Sequence, residues 1–221
     1  MSSQDFVTVR SFLPTIPLPG NKDRPDITTS RLIIRTLKAS DLEALHSLRT
    51  QEPVMKWTKA GCIDQNIGQS KAKLDPFLAP NDAITANCAI CLKDTGEFIG
   101  IGGCHLYPGD HGWPEVGYML RTEAWGQGIA TEFLSAWLKF WAGLPRTERE
   151  IEVQKDMVDS EGAVEEQLIA ITEKSNAPSQ KVLIKAGFQR FRDFTEVDDS
   201  KTKSLVAFRF FPSKGIRSDG V

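Results

Sequence analysis

Residues 124–132 read AWGQGIATE, and Gly126 and Gly128 stand just before an apolar run at helical spacing, residues 133–141. Glycine adopts backbone conformations closed to other residues. A turn of this composition can point several N–H groups outward at the positive end of a helix dipole. A pyrophosphate binds at such a place without a cationic side chain. A plain strand-to-helix connection has the same composition, so the glycines alone leave both readings open. Two nucleotide motifs do not fit. The dinucleotide fingerprint needs a third glycine where Thr131 stands, and a P-loop needs a following Gly-Lys-Ser/Thr.

Other reactive residue types point to less. Cys88 and Cys91 form a CxxC inside TANCAICL. That run reads as a strand, on which positions i and i+3 face opposite ways. No second pair and no suitably spaced His follows, so no metal site is expected. The histidines, His46, His105 and His111, share no spacing. Cys62 and Cys104 complete a cysteine set too small and scattered for a disulfide framework, which fits a reducing cytoplasmic setting. Residues 1–20 show neither a signal peptide nor a span.

The chain has 221 residues, 40% of them hydrophobic and 25% charged, with a net charge of −2. These values describe one globular domain with extensions and argue against nucleic-acid or membrane partners. Residues 1–27 are rich in Pro, Asn, Asp, Thr and Ser and read as an extension without its own core. RLIIRTL (31–37) reads as a strand. Ser40-Asp41-Leu42-Glu43 opens a helix through Leu45 and Leu48, limited by Pro53. Residues 54–80 hold short helical pieces. ITANCAICL and FIGIGGCHLY flank an Asp/Gly turn as a hairpin, and WPEVGYMLR is a further strand. A helix over 131–141 follows. Residues 146–167 carry eight acidic and three basic residues and read as a solvated, partly helical insertion. LIAITEKS is a strand, Asn176 opens a helix closed by Gly187, and two antiparallel strands end the chain. The fold class is α+β, with a mixed, mostly antiparallel sheet of about seven strands flanked by helices.

Four segments in this order are similar to the GNAT acyltransferases, and in particular to their ribosomal-protein N-acetyltransferase-like branch. WPEVGYMLRTEAWGQGIATEFL resembles the family's central strand and glycine turn. NAPSQKVLIKAGFQRF resembles its Asn-x-x-Ser…Gly-Phe segment. TSRLIIRTLKASDLEAL resembles its first strand and helix, and DTGEFIGIGG its hairpin. The match covers residues 28–211, a single acyl-CoA N-acyltransferase domain containing the acidic insertion and followed by a tail at 212–221. The resemblance implies acetyl-CoA as cosubstrate, no metal, and a primary amine as acceptor, either a small molecule or a peptide N-terminus. The protein would be a monomer or homodimer. Met119, Leu120 and Arg121 would run beside the pantetheine arm. Trp125, Gly126, Gln127, Gly128, Ile129, Ala130 and Thr131 would hold the pyrophosphate, and Asn176 and Ser179 would flank the pantetheine. Trp57 falls on the acceptor side by analogy, and His111, in a turn beside Trp113, would face the acceptor or lie exposed on the surface.

An amine must lose its proton to attack a thioester, because its pKa is about 8 to 10.4. Glu115, at the start of the central strand, is the candidate base. Its other reading is a solvated strand-end carboxylate. Backbone N–H groups near Met119 and Leu120 would meet the developing oxyanion if the strand splays there. Ser179 would relay a proton to the CoA thiolate, or merely cap its helix. The family's helix Tyr is absent, and Tyr118 reads as a core residue. A CoA-binding regulatory or interaction module without turnover is the alternative function.

Overall fold

A computed structural model describes residues 5–198 and 201–215. The strands are β1 (Phe6–Pro14), β2 (Ile27–Thr28), β3 (Leu32–Thr36), β4 (Ala86–Leu92), β5 (Phe98–Leu106), β6 (Glu115–Leu120), β7 (Arg146–Gln154), β8 (Gly162–Ala163), β9 (Leu168–Glu173), β10 (Gln189–Asp198) and β11 (Lys201–Phe210). The main helices are α1 (Leu42–Arg49), α2 (Glu52–Met55), α3 (Ile67–Leu74), α4 (Ile129–Ala142) and α5 (Ala177–Lys185). An eight-stranded sheet runs β10-β11-β9-β6-β5-β4-β3-β2. All its pairings are antiparallel except β6 with β9. The sheet matches the expected class, with the two-residue β2 added at one edge.

Each face of the sheet packs its own core. On one side, α4 buries Ile129, Phe133, Leu134, Trp137, Leu138 and Trp141, spaced for a single helical stripe. On the other, Leu45, Leu48 and Leu74 from α1 and α3 pack on Ala89, Cys91 and Ile101. β4 alternates between the two cores. Cys88 belongs to the first and Cys91 to the second, so the CxxC thiols face apart. Burial pushes the Cys88 thiol up to about 12. Pro53 occupies the first turn of α2, where its missing N–H costs nothing, while α1 has already ended at Arg49.

The largest departure lies in a second sheet, ordered β7-β1-β8. The presumed extension supplies β1, and the acidic insertion supplies β7 in place of helix. They pair antiparallel from Phe6↔Gln154 to Pro14↔Arg146. The helical content of the insertion is one 3-10 turn, Lys155–Met157, followed by a bend over residues 159–161. Val9, Leu13 and Leu18 enter the main core. Glu148, Glu150 and Glu152 are exposed while Val153 is buried, so this strand alternates charge with mixed residues, and its apolar signal is faint. Leu13 is fully buried and Phe12 exposed. Leu13→Ala is expected to destabilise the protein by about 2–5 kcal/mol. Phe12→Ala should change stability by under about 0.5 kcal/mol. Equal denaturation midpoints for Leu13→Ala and wild type would show that β1 does not contribute to the cooperative unit.

Candidate active site

β6 lies between β5 and β9. Its parallel pairing with β9 registers at one position, Glu115↔Ile169, where the Ile169 N–H donates to the Pro114 carbonyl at 3.0 Å. Beyond that point the two strands part, and a cleft opens along the edge of β6. The ladder to β5 fixes which amides face it. The Arg121 N–H donates to Ile99 O at 2.8 Å, and the register continues Leu120↔Gly100 and Met119↔Ile101. Antiparallel pairs alternate between bonded and non-bonded. The Met119 amide therefore turns toward β5, while those of Tyr118 and Leu120 turn toward the cleft. The Trp125 indole Nε1 donates to Leu120 O at 2.8 Å and ties the glycine turn to the strand end.

The turn itself carries two left-handed residues, Gly126 at φ 73° and Gly128 at φ 76°. Gly128 is the N-cap of α4 and uses no side chain to cap it. The first-turn amides of residues 129–131 have no partner inside their own helix. Two residues to which the sequence assigned no role brace this turn. Arg31 Nη1 donates to Gln127 O at 2.9 Å, and Arg31 Nε to Glu132 Oε2 at 2.7 Å. Glu132 also accepts from Thr29 Oγ1 at 2.6 Å, Ser30 Oγ at 2.9 Å and the Arg31 N–H at 3.0 Å. Burial by itself would raise the Glu132 carboxyl, but the bonds from Thr29, Arg31 and Ser30 outweigh it and hold the group at about 2. The brace is thus fully formed above about pH 4.5, the ordinary carboxyl value, and fades as pH falls toward 2. Glu132→Gln should unfold at lower temperature than wild type at pH 7, with the gap narrowing as pH falls from 4.5 to 2. A gap independent of pH would contradict the brace.

The base candidate and the relay candidate approach the cleft from opposite faces. Glu115 lies half-buried on the α1 face, beneath Gly109, where a Cβ would stand 3.0 Å from the Glu115 Cβ. Burial raises its carboxyl to about 7, with Asp110 and Glu196 adding to the rise and Lys59 opposing it. On the α5 face, the Tyr118 hydroxyl lies 3.0 Å from Ser179 Oγ and 3.3 Å from Ser179 O. Tyr118 does pack against the core, as expected, but its hydroxyl reaches the helix. Asn176 Oδ1 accepts from the Ser179 N–H at 3.2 Å, which caps α5 and sets Ser179 in place.

Other expected residues divide. Trp57 is half-buried with Lys56 Nζ 4.9 Å from its ring centre. Its segment leans over the Glu115 side: Lys59 Nζ lies 3.2 Å from Asp110 Oδ2, and Lys203 donates to Thr58 O at 3.2 Å. His111 is buried instead of facing an acceptor. Its Nδ1 pairs with Gln154 Oε1 at 2.8 Å and its ring meets Phe194 edge-on, because β7 covers the 108–112 turn. Arg121 is engaged by Glu97 and Ser47 at 3.0 and 2.9 Å. Among the described residues no group of His, Cys, Asp and Glu is placed to hold a metal, and no helix is long and apolar enough to cross a membrane.

The α+β fold, with its large and mostly antiparallel sheet flanked by helices, is that of an acetyltransferase family. The acetyltransferase (GNAT) domain model matches residues 31–189, and the chain belongs to that family of acetyl-CoA-dependent acyltransferases. Particular relatives agree. The chain is 25% identical over 170 residues to the uncharacterized N-acetyltransferase YoaA of Bacillus subtilis (strain 168), covering 75% of this chain and 84% of the relative. Its fold is similar to RimL, a ribosomal L7/L12 alpha-N-protein acetyltransferase solved with coenzyme A, at a TM-score of 0.65, 14% identity and coverage of 85% and 98%. It is also similar to the spermidine N-acetyltransferase of Vibrio cholerae solved with CoA and spermine, at a TM-score of 0.62, 13% identity and coverage of 85% and 99%.

Proposed function

We propose that this chain transfers an acetyl group from acetyl-CoA to a primary amine by direct attack within a ternary complex. The carrying observation is the cleft between β6 and β9, which opens at Glu115 and ends at the 126–128 turn. The pyrophosphate sits against the amides of residues 126–131 and the α4 dipole. The pantetheine arm runs along the free edge of β6, and the Asn176 side-chain N–H₂, which capping leaves free, donates to its amides. The Leu120 amide faces the oxyanion, and Glu115 takes the ammonium proton. As the C–S bond breaks, its electron pair goes to sulfur. A thiolate of pKa about 8.5 needs little help, and the Tyr118–Ser179 hydroxyl pair supplies it. A covalent cysteine route is not supported, because burial raises the Cys104 thiol far above its ordinary value.

The acceptor is a small-molecule amine or a protein N-terminus. The test is acetyl-CoA turnover against peptides with free N-termini, polyamines and amino acids, read as thiol release. Turnover with one class identifies the acceptor. CoA binding by calorimetry with no thiol release above hydrolysis from any amine would overturn transfer in favour of a CoA-binding module.

A further inference from the structure

β5 carries one residue more than its partner. The register runs Cys104↔Val116 and then Leu106↔Glu115, which leaves His105 unpaired at a β-bulge. A bulge re-aims the side chain it carries. Here it brings His105 Nε2 to 3.6 Å from Glu115 Oε1. Gly117 makes room for the ring, since a Cβ there would stand 3.2 Å from His105 Cε1 and 3.3 Å from Nδ1. His105 also lines an open cavity of about 310 Å³ with Pro76, Ile84, Thr85 and Pro108. Its side chain is 34% exposed against 16% for Glu115, so the imidazole is the member of the pair with more access to water.

We propose that His105 is the proton exit of the Glu115 base: it receives from the Glu115 carboxyl the proton taken from the acceptor ammonium and releases it to the water of this cavity. The inference rests on the assignment of Glu115 above, and His105 acts through Glu115 without touching the acceptor. The balance is complete. One ammonium N–H bond breaks, its electron pair stays on nitrogen and becomes the new C–N bond, and the proton passes from Glu115 Oε to His105 Nε2 and then to water. A second N–H proton leaves with the CoA thiol. A side-chain gap of 3.6 Å closes with a small rotamer movement, as catalytic contacts do when substrate arrives. The groups facing the pair are Asp110, Glu196 and Lys59 around Glu115, and Asp110 with the Gly103 carbonyl around His105. Burial lowers the His105 imidazole, with Gly103 and Asp110 opposing.

The first test is independent of turnover. The Cε1–H resonance of His105, identified among three histidines by its loss in His105→Gln, is titrated by NMR in the full chain and in Glu115→Gln. A relay pair predicts that the His105 resonance also reports the Glu115 ionisation, as a midpoint near pH 7 that is absent in Glu115→Gln. The same midpoints in both proteins overturn the pairing. The second test uses the panel amine with the highest kcat/KM. His105→Gln should lower kcat about 10- to 100-fold with CoA affinity unchanged, and imidazole should restore the rate of His105→Gly but not of Glu115→Gln. A folded His105→Gly with wild-type kcat and pH profile, or one that imidazole leaves slow, overturns the relay. If the wild type turns over no amine, acetyl transfer itself fails, and the NMR midpoint alone decides whether the pair exists.

Discussion

Glu115→Gln is expected to lower kcat/KM by about 10²- to 10⁴-fold, the range of a positioned general base. It should also abolish the rise in rate centred near pH 7. The group is held at about 7 by burial first and by Asp110 and Glu196 second, so it is half-ionised where an amine of higher pKa is still an ammonium. The glutamine keeps the shape and loses the proton site. Steady-state profiles from pH 5.5 to 9 check this, and an unchanged low-pH limb would remove Glu115 from the mechanism. The same substitution makes a stability prediction of opposite sign. A carboxyl raised above its ordinary value stabilises the fold while protonated, a contribution present below about pH 4.5 and lost as pH rises through 7. Glu115→Gln should therefore match wild type near pH 4 and exceed its melting temperature at pH 8. Activity and stability are set against each other at this residue.

Gly128→Val is expected to weaken CoA binding about 5- to 100-fold. Space is not the obstacle, since the nearest atom to a Cβ there is Arg31 Nη2 at 3.7 Å. The obstacle is φ 76°, which costs a β-branched residue about 1–3 kcal/mol, and each 1.4 kcal/mol is a factor of ten in affinity. A turn that relaxes to escape this strain swings its amides away from the pyrophosphate. Isothermal calorimetry with CoA measures the loss, and Gly128→Ala should fall between valine and wild type. Equal dissociation constants for all three proteins would detach the turn from the cofactor.

Much of the frame was legible because it is local. Strand alternation placed β4, β5 and β6, and it separated Cys88 from Cys91 before any contact was known. The apolar stripe of α4 was equally plain, whereas the α5 cap, expected at Ser179, falls on Asn176. What escaped depends on partners far along the chain. β7 has a weak apolar pattern and becomes a strand only against β1, which lies 132 to 148 residues earlier by the register Pro14↔Arg146 to Phe6↔Gln154. Arg31 looks like an ordinary strand-end cation until α4 brings Glu132 within 2.6 Å of it. His111, in a Gly-rich turn, read as exposed, and β7 and β10 enclose it.

The candidate site shows the division most clearly. AWGQG, EVGYML and NAPS are chemically suggestive wherever they fold, because positive φ, alternation and capping are properties of a few neighbouring residues. From them the sequence alone determined a glycine turn at a helix entrance, a carboxylate at a strand start and a capped helix. The tertiary structure decided that β6 and β9 part after Glu115, that Leu120 and not Met119 turns its amide to the gap, and that Tyr118 meets Ser179. It also decided that a single extra residue in β5 swings His105 onto Glu115. The reason is register: one residue of slip reverses every side chain and amide of a strand, and register is set by the packing of both sheet faces, which local sequence does not contain.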